Sequence, residues 1–175
     1  IARKKCKKPA WLLGMAAYSD EENQLQSESY CGVGVLDPSE QLGCQISARR
    51  AYAMAGITDP KKEIDLAEIY QPIPSQELIF AERLGLFDEG TAWRALEKGE
   101  TDIEGRIPIS VSGGVNATNA IGSSALQRVL ECALQIMGKA GEHQVPKEVR
   151  KAVAHGWGGV TNYITVTVLG DSPRG

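Results

Sequence analysis

Strand-like and helix-like segments take turns along these 175 residues, and that alternation limits the possible folds more than any other feature. Residues 11–18 (WLLGMAAY) form a short apolar run that predicts a strand. Residues 41–55 have helical periodicity, and Gly56 supplies a stop. Residues 64–70 (IDLAEIY) alternate apolar and polar side chains as a strand does, and Pro72 and Pro74 end them. Ser75 is placed to cap a helix over 76–85, and a shorter helix is predicted within 87–99. Residues 107–111 are β-branched and apolar, hence a further strand.

The longest helical pattern runs over 121–138. Its apolar positions Leu126, Val129, Leu130, Ala133, Leu134 and Met137 recur at spacings of three and four. The chain closes with strands at 152–155 and 163–169, the second (YITVTVL) in strict alternation across a glycine-rich turn. Together these predict one layered α/β domain over 1–175 with a mixed sheet. Residues 19–40 are polar and read as a long loop.

Charge and cysteine spacing narrow the functional classes. The net charge is −3, from 19 basic and 22 acidic residues, which gives no electrostatic case for nucleic acid or a membrane surface. The basic run Arg3, Lys4, Lys5, Lys7, Lys8 is local and reads as a solvated terminus. Cysteines stand at 6, 31, 44 and 132, no two spaced as CxxC, and there are two histidines, so no metal is expected. No stretch of 18 apolar residues and no signal-peptide pattern appears, and reduced thiols suit a cytoplasmic location. The chain opens on Ile1 rather than Met, so a piece of something longer is expected.

Two glycine clusters carry the functional signal. Residues 112–122 (SGGVNATNAIG) crowd three glycines and two asparagines into a loop that feeds the long helix. Residues 155–159 (HGWGG) sit between the two final strands. Such loops bring backbone N–H groups and side-chain amides close to a ligand.

Five ordered blocks, AYAMAGI (51–57), EIDLAEIYQPIPSQEL (63–78), GRIPISVSGGVNATNAIGSSALQ (105–127), GKAGEHQV (138–145) and AHGWGGVTNYITVTVLG (154–170), resemble the C-terminal half of thiolase-superfamily proteins, of the sterol-carrier and archaeal types. The resemblance implies one βαβαβαββ unit of a duplicated fold: a five-stranded mixed sheet with helices on both faces. It also implies that the N-terminal half, which bears the nucleophilic cysteine, lies outside this chain. None of the four cysteines here matches that nucleophile.

Thiolase chemistry needs a thiolate, an acid/base and oxyanion holes. Where relatives place His or Asn after the Ile-Asp-x-x-Glu strand, this chain has Tyr70, and Pro72 stands where some carry a cysteine acid/base. Where Gly-His-Pro is usual, it has Thr118-Asn119-Ala120, so Asn119 takes the place of the imidazole that polarises a thioester carbonyl. Asn116 and Asn119 read equally well as helix caps. In the third loop His155 is the well-placed imidazole, with Tyr163 nearby, and the N–H groups of Gly158 and Gly159 suit an oxyanion hole. Ser112, Gly113 and Gly114 would bind substrate.

The resemblance implies a coenzyme A thioester as substrate, no tightly bound cofactor, and assembly with the missing half as a homodimer or larger oligomer. The reaction expected first is acyl transfer, either thiolysis or Claisen condensation of a 3-oxoacyl-CoA. The alternatives are aldol cleavage of a β-hydroxyacyl-CoA beside a small zinc-ribbon/OB-fold subunit that carries the acyl-CoA, in which tyrosines act, or a non-catalytic assembly domain.

Overall fold

The computed structural model describes residues 6–19, 41–158 and 163–173. Their strands form one four-stranded sheet in the order β1-β4-β3-β2. Here β1 is Trp11–Ser19, β2 Leu66–Glu68, β3 Lys151–Gly158 and β4 Tyr163–Gly170. β3 and β4 pair antiparallel from Lys151↔Gly170 to Gly158↔Tyr163, the hairpin expected from the alternation of 163–169. β1 lies antiparallel on the other side of β4, and β2 lies parallel to β3, so the sheet is mixed.

Helices cover both faces. On one face α1 (Leu42–Ala55) lays Cys44, Ala48, Ala51 and Tyr52 on the sheet, ends at Gly56 with φ 71°, and joins Val153, Val166, Val168 and Phe80 in the larger core. On the other face α6 (Ser124–Met137) meets Leu66, Ala152, Ala154 and Leu169 through Cys132 and Ile136. A Cβ at Gly156 would stand 2.6 Å from that of Ala125, so only glycine lets α6 lie this close to β3. In the chain between α1 and α6 come α2 (Pro60–Glu63), α3 (Pro74–Arg83), α4 (Ala92–Glu97) and α5 (Gly114–Ala117).

The expected fifth strand over 107–111 is reduced to a single bridge, Ala67 to Ile109. Ala67 N–H donates to Pro108 O at 3.0 Å, and Ser110 N–H to Ala67 O at 2.8 Å. Pro108 has no N–H, and the N–H groups of Ile107 and Ile109 donate instead to Glu100 and Thr101. Ser110 then turns the chain away at φ 53°. The cap expected from Ser75 is also absent: α3 starts at Pro74 after Ile73, with no side-chain cap. Proline preset at N1 replaces the hydroxyl. The strand expected over 64–70 is regular only at its centre, although Asp65 and Tyr70 still hydrogen-bond to Lys151 and His155 of β3.

α6 holds the main surprise. Its buried face is Ser124, Arg128, Glu131, Cys132, Gln135 and Ile136, while Leu126 and Leu130 are 68% and 56% exposed. Of the apolar stripe legible in the sequence, Val129 and Ala133 pack against the core while Leu126 and Leu130 point away from it. Around Gln135 the polar inner face is satisfied locally: Gln135 Nε2 donates to Glu131 and to the His143 carbonyl, and Gln135 Oε1 accepts from Gln144 and Val145. In this chain alone, then, Ile136→Ala should cost about 2–5 kcal/mol, and Leu130→Ser no more than about 0.5 kcal/mol. Urea unfolding of the two variants checks the contrast.

Candidate active site

The site grows from the C-terminal end of β2. Tyr70 stands two residues past the end of that strand and is buried, its ring edge-on to Trp157 of β3 at 5.6 Å. Its hydroxyl lies 3.2 Å from Asn119 Oδ1. That oxygen also receives Ser124 Oγ–H at 2.8 Å and Ile121 N–H at 3.2 Å. A backbone N–H can only donate, so the atom facing it is the amide oxygen, and this fixes the side-chain orientation. The exposed Asn119 Nδ2 is then left as a free pair of donors among the described residues. Asn119 therefore turns the chain through its contact with Ile121 N–H and is not the helix cap expected: α6 starts after Ser123 with no side-chain cap.

The loop that carries Asn119 is anchored from below. Glu68, fully buried on β2, accepts Ser112 N–H at 3.1 Å and Ser112 Oγ–H at 2.7 Å. Ser112 Oγ in turn accepts Gly114 N–H at 3.2 Å, and Gly113 N–H donates to Ser110 O at 2.9 Å. Both glycine N–H groups are thus engaged within the loop. Gly113 at φ 84° and Gly114 at φ 60° shape it, and a Cβ on Gly114 would meet Gln71 Nε2 at 2.6 Å. Gln71 Nε2 donates to Glu77 Oε2 at 2.7 Å and to Ser110 Oγ at 3.0 Å, a second anchor beside Tyr70.

His155 sits elsewhere. It is 1% exposed, its ring lies 4.2 Å from that of Phe80, and neither ring nitrogen has a hydrogen-bond partner among the described residues. Burial pushes its pKa down to about 3, so the imidazole stays neutral. The structure places it in the core between β3 and α3, not beside Asn119. Gly158 ends β3 one residue after Trp157, while Gly159 lies outside the described residues. Cys44 and Cys132 are buried, which raises both thiols and makes them poor nucleophiles.

Tyr70, Asn119 and the end of β3 are therefore brought together, whereas His155 is not. Glu68, Gln71 and Ser124 are the residues that sequence reasoning passed over. Glu68 had a signal: it is two residues past Leu66, so strand alternation puts it on the inner face.

Residues 35–171 match the family model described as thiolase C-terminal domain-like. The chain belongs to the thiolase C-terminal domain-like family. Among curated relatives it is 35% identical over 100 residues to an acetyl-CoA acetyltransferase of Methanothermobacter thermautotrophicus, covering 57% of this chain and 26% of that protein. It is 28% identical over 136 residues to sterol carrier protein 2 of Bos taurus, covering 77% and 24%. The chain thus spans about a quarter of the length of these relatives.

Among solved structures, an Ltp2-ChsH2(DUF35) aldolase superposes with TM-score 0.70 at 19% identity, covering 94% of this chain and 40% of that one. A monomeric SCP2-thiolase-like protein type 1 from Mycobacterium smegmatis gives 0.59 at 15%, covering 94% and 30%. At these identities the likeness concerns the thiolase fold. No helix among the described residues is long and apolar enough to cross a membrane.

His155 gives a pH test with a definite sign. Its folded pKa lies below the ordinary 6.5, so as pH falls the unfolded chain takes up the proton first and stability is lost between about pH 6.5 and 3. Relative to His155→Leu, the wild type should lose about 2–3 kcal/mol between pH 6 and 4, at about 1.4 kcal/mol per unit. Denaturant titrations at both pH values measure the difference, in which other groups cancel.

Proposed function

We propose that this domain is the C-terminal half of an enzyme that does carbon–carbon bond chemistry on coenzyme A thioesters, with Asn119 Nδ2 holding the thioester oxygen as an enolate forms. One observation carries the reading. Three donors converge on Asn119 Oδ1, which leaves the amide hydrogens as the only part of that side chain free to act on a ligand. A preorganised amide of this kind is worth about 10²- to 10³-fold in rate. The N–H of Gly158, at the end of β3, is proposed to assist, and the domain's relation to an acetyl-CoA acetyltransferase supports the substrate class.

The N-terminal half is proposed to supply the nucleophile and to cover the outer face of α6. The exposed Leu126 and Leu130 support that packing, and in the longer protein Leu130→Ser should then cost far more than in this chain alone. For the oxygen-holding role, Asn119→Asp keeps the three acceptor contacts and replaces the amide with a second oxygen. In the full protein it should lower kcat by about 10²-fold or more with little change in KM. A wild-type rate in that variant would remove Asn119 from the chemistry.

Acyl transfer, as in the acetyltransferase relative, is the first reading of the reaction. It requires an acyl adduct on a cysteine outside this chain, visible by intact mass after incubation with acyl-CoA. A second reading, aldol cleavage of a β-hydroxyacyl-CoA, is favoured by the Tyr70 hydroxyl beside Asn119 where relatives place an imidazole, and by the burial of His155. In it the β-hydroxyl proton leaves to a base, the Cα–Cβ bond breaks to release a carbonyl product, and the enolate thioester is reprotonated. No free coenzyme A is consumed. The small acyl-CoA-carrying subunit belongs to this reading, whereas a homodimeric or larger assembly is proposed under either. Under it Tyr70→Phe should lower cleavage of a β-hydroxyacyl-CoA by at least about tenfold with no adduct formed; an unchanged rate together with a cysteine adduct returns the assignment to acyl transfer.

A further inference from the structure

Tyr70 and Asn119 belong to segments 49 residues apart, and the contact between them has to be set by something beneath the surface. Glu68 is the group in that place. It ends β2, two residues before Tyr70, and its carboxylate takes both the N–H and the O–H of Ser112, where the loop to Asn119 begins. Arg128 of α6, 3% exposed, brings Nη1 within 3.4 Å of Glu68 Oε2 without a hydrogen bond, so the pairing is Coulombic.

We propose that Glu68 is a positioning residue: in its ionised form it ties the 112–119 loop to the end of β2 and thereby sets the Asn119 amide against the Tyr70 hydroxyl. The inference rests on the thioester site proposed above and adds its control by protonation. Geometry supplies the mechanism. An ionised carboxylate accepts from both Ser112 donors in charge-assisted hydrogen bonds, whereas a carboxyl that carries its proton on Oε2 reverses the contact, donating to Ser112 Oγ, and both ties fall to neutral strength. The Ser112 hydroxyl hydrogen must then turn away from Glu68, and the anchor of the loop weakens.

Burial pushes the Glu68 carboxyl up to about 7, so the change falls near neutral pH. The two Ser112 hydrogen bonds and Arg128 oppose that rise, and Glu131 of α6 adds to it. Cys132 faces Glu68 from the same helix, and Glu131 itself holds His143 at 3.1 Å. The folded-state pKa is above that of a free carboxylate. Acidification from pH 8 to 6 therefore stabilises the fold through this group while loosening the loop, and a merely structural carboxylate would not separate the two.

The test uses the full protein that contains this chain. Hydrogen exchange is followed on peptides spanning 108–120 at pH 8 and pH 6, corrected for intrinsic rates, alongside kcat/KM. The wild type should lose loop protection several-fold at pH 6 and show an acid limb with a midpoint near pH 7. Glu68→Gln should show the loosened loop at both pH values, no acid limb, and activity about tenfold below the wild type at pH 8. Ser112→Ala should loosen the same peptides independently of pH, and it decides the matter if the Gln variant fails to melt cooperatively. Unchanged protection in these variants, or an acid limb that persists in Glu68→Gln, overturns the proposal. If exchange moves as expected while the wild type turns over no coenzyme A thioester, the functional reading falls and the Glu68 clamp stands.

Discussion

A carboxylate buried under a loop is the constraint on which this site depends. Glu68 stands fully buried on a three-residue strand, and its charge is tolerable only because Ser112 and Arg128 come to it. Removing one partner of a buried pair typically costs about 3–5 kcal/mol, because the other charge is left without compensation. The same contacts that make the carboxylate tolerable determine where Ser112 sits. The loop cannot be placed independently of the sheet, and so Asn119 cannot be placed independently of Tyr70.

The polar inner face of α6 follows the same logic. Arg128 faces the sheet because Glu68 is there, and Glu131 and Gln135 do so because His143, Gln144 and Val145 supply donors and acceptors. With that side occupied, Leu126 and Leu130 point outward. A surface helix that exposes two neighbouring leucines offers an interaction face. That suits a domain spanning about a quarter of the length of its relatives.

Much of the architecture was legible from local pattern. The final hairpin, α1 with its glycine stop, and the helix after the glycine loop all follow from period and capping chemistry. The fifth strand was misjudged because β-branched composition does not reveal where N–H groups go; Pro108 offers none, and Ile107 and Ile109 send theirs to Glu100 and Thr101. Of the site, Tyr70 and Asn119 were visible as residue types in telling places. Their mutual contact was not, since a hydrogen bond across 49 residues leaves no trace in spacing.

The amino-acid order alone determined the class of fold, the two glycine loops and the absence of the customary imidazole before Ile121, because periodicity, turns and residue identity are local properties. Only the tertiary structure decided that His155 is a neutral core residue, that Gly113 and Gly114 shape the loop with their N–H groups already engaged, and that the amide of Asn119 faces outward. Burial and hydrogen-bond partnership are set by what the rest of the chain brings to a residue, and no window of sequence contains that.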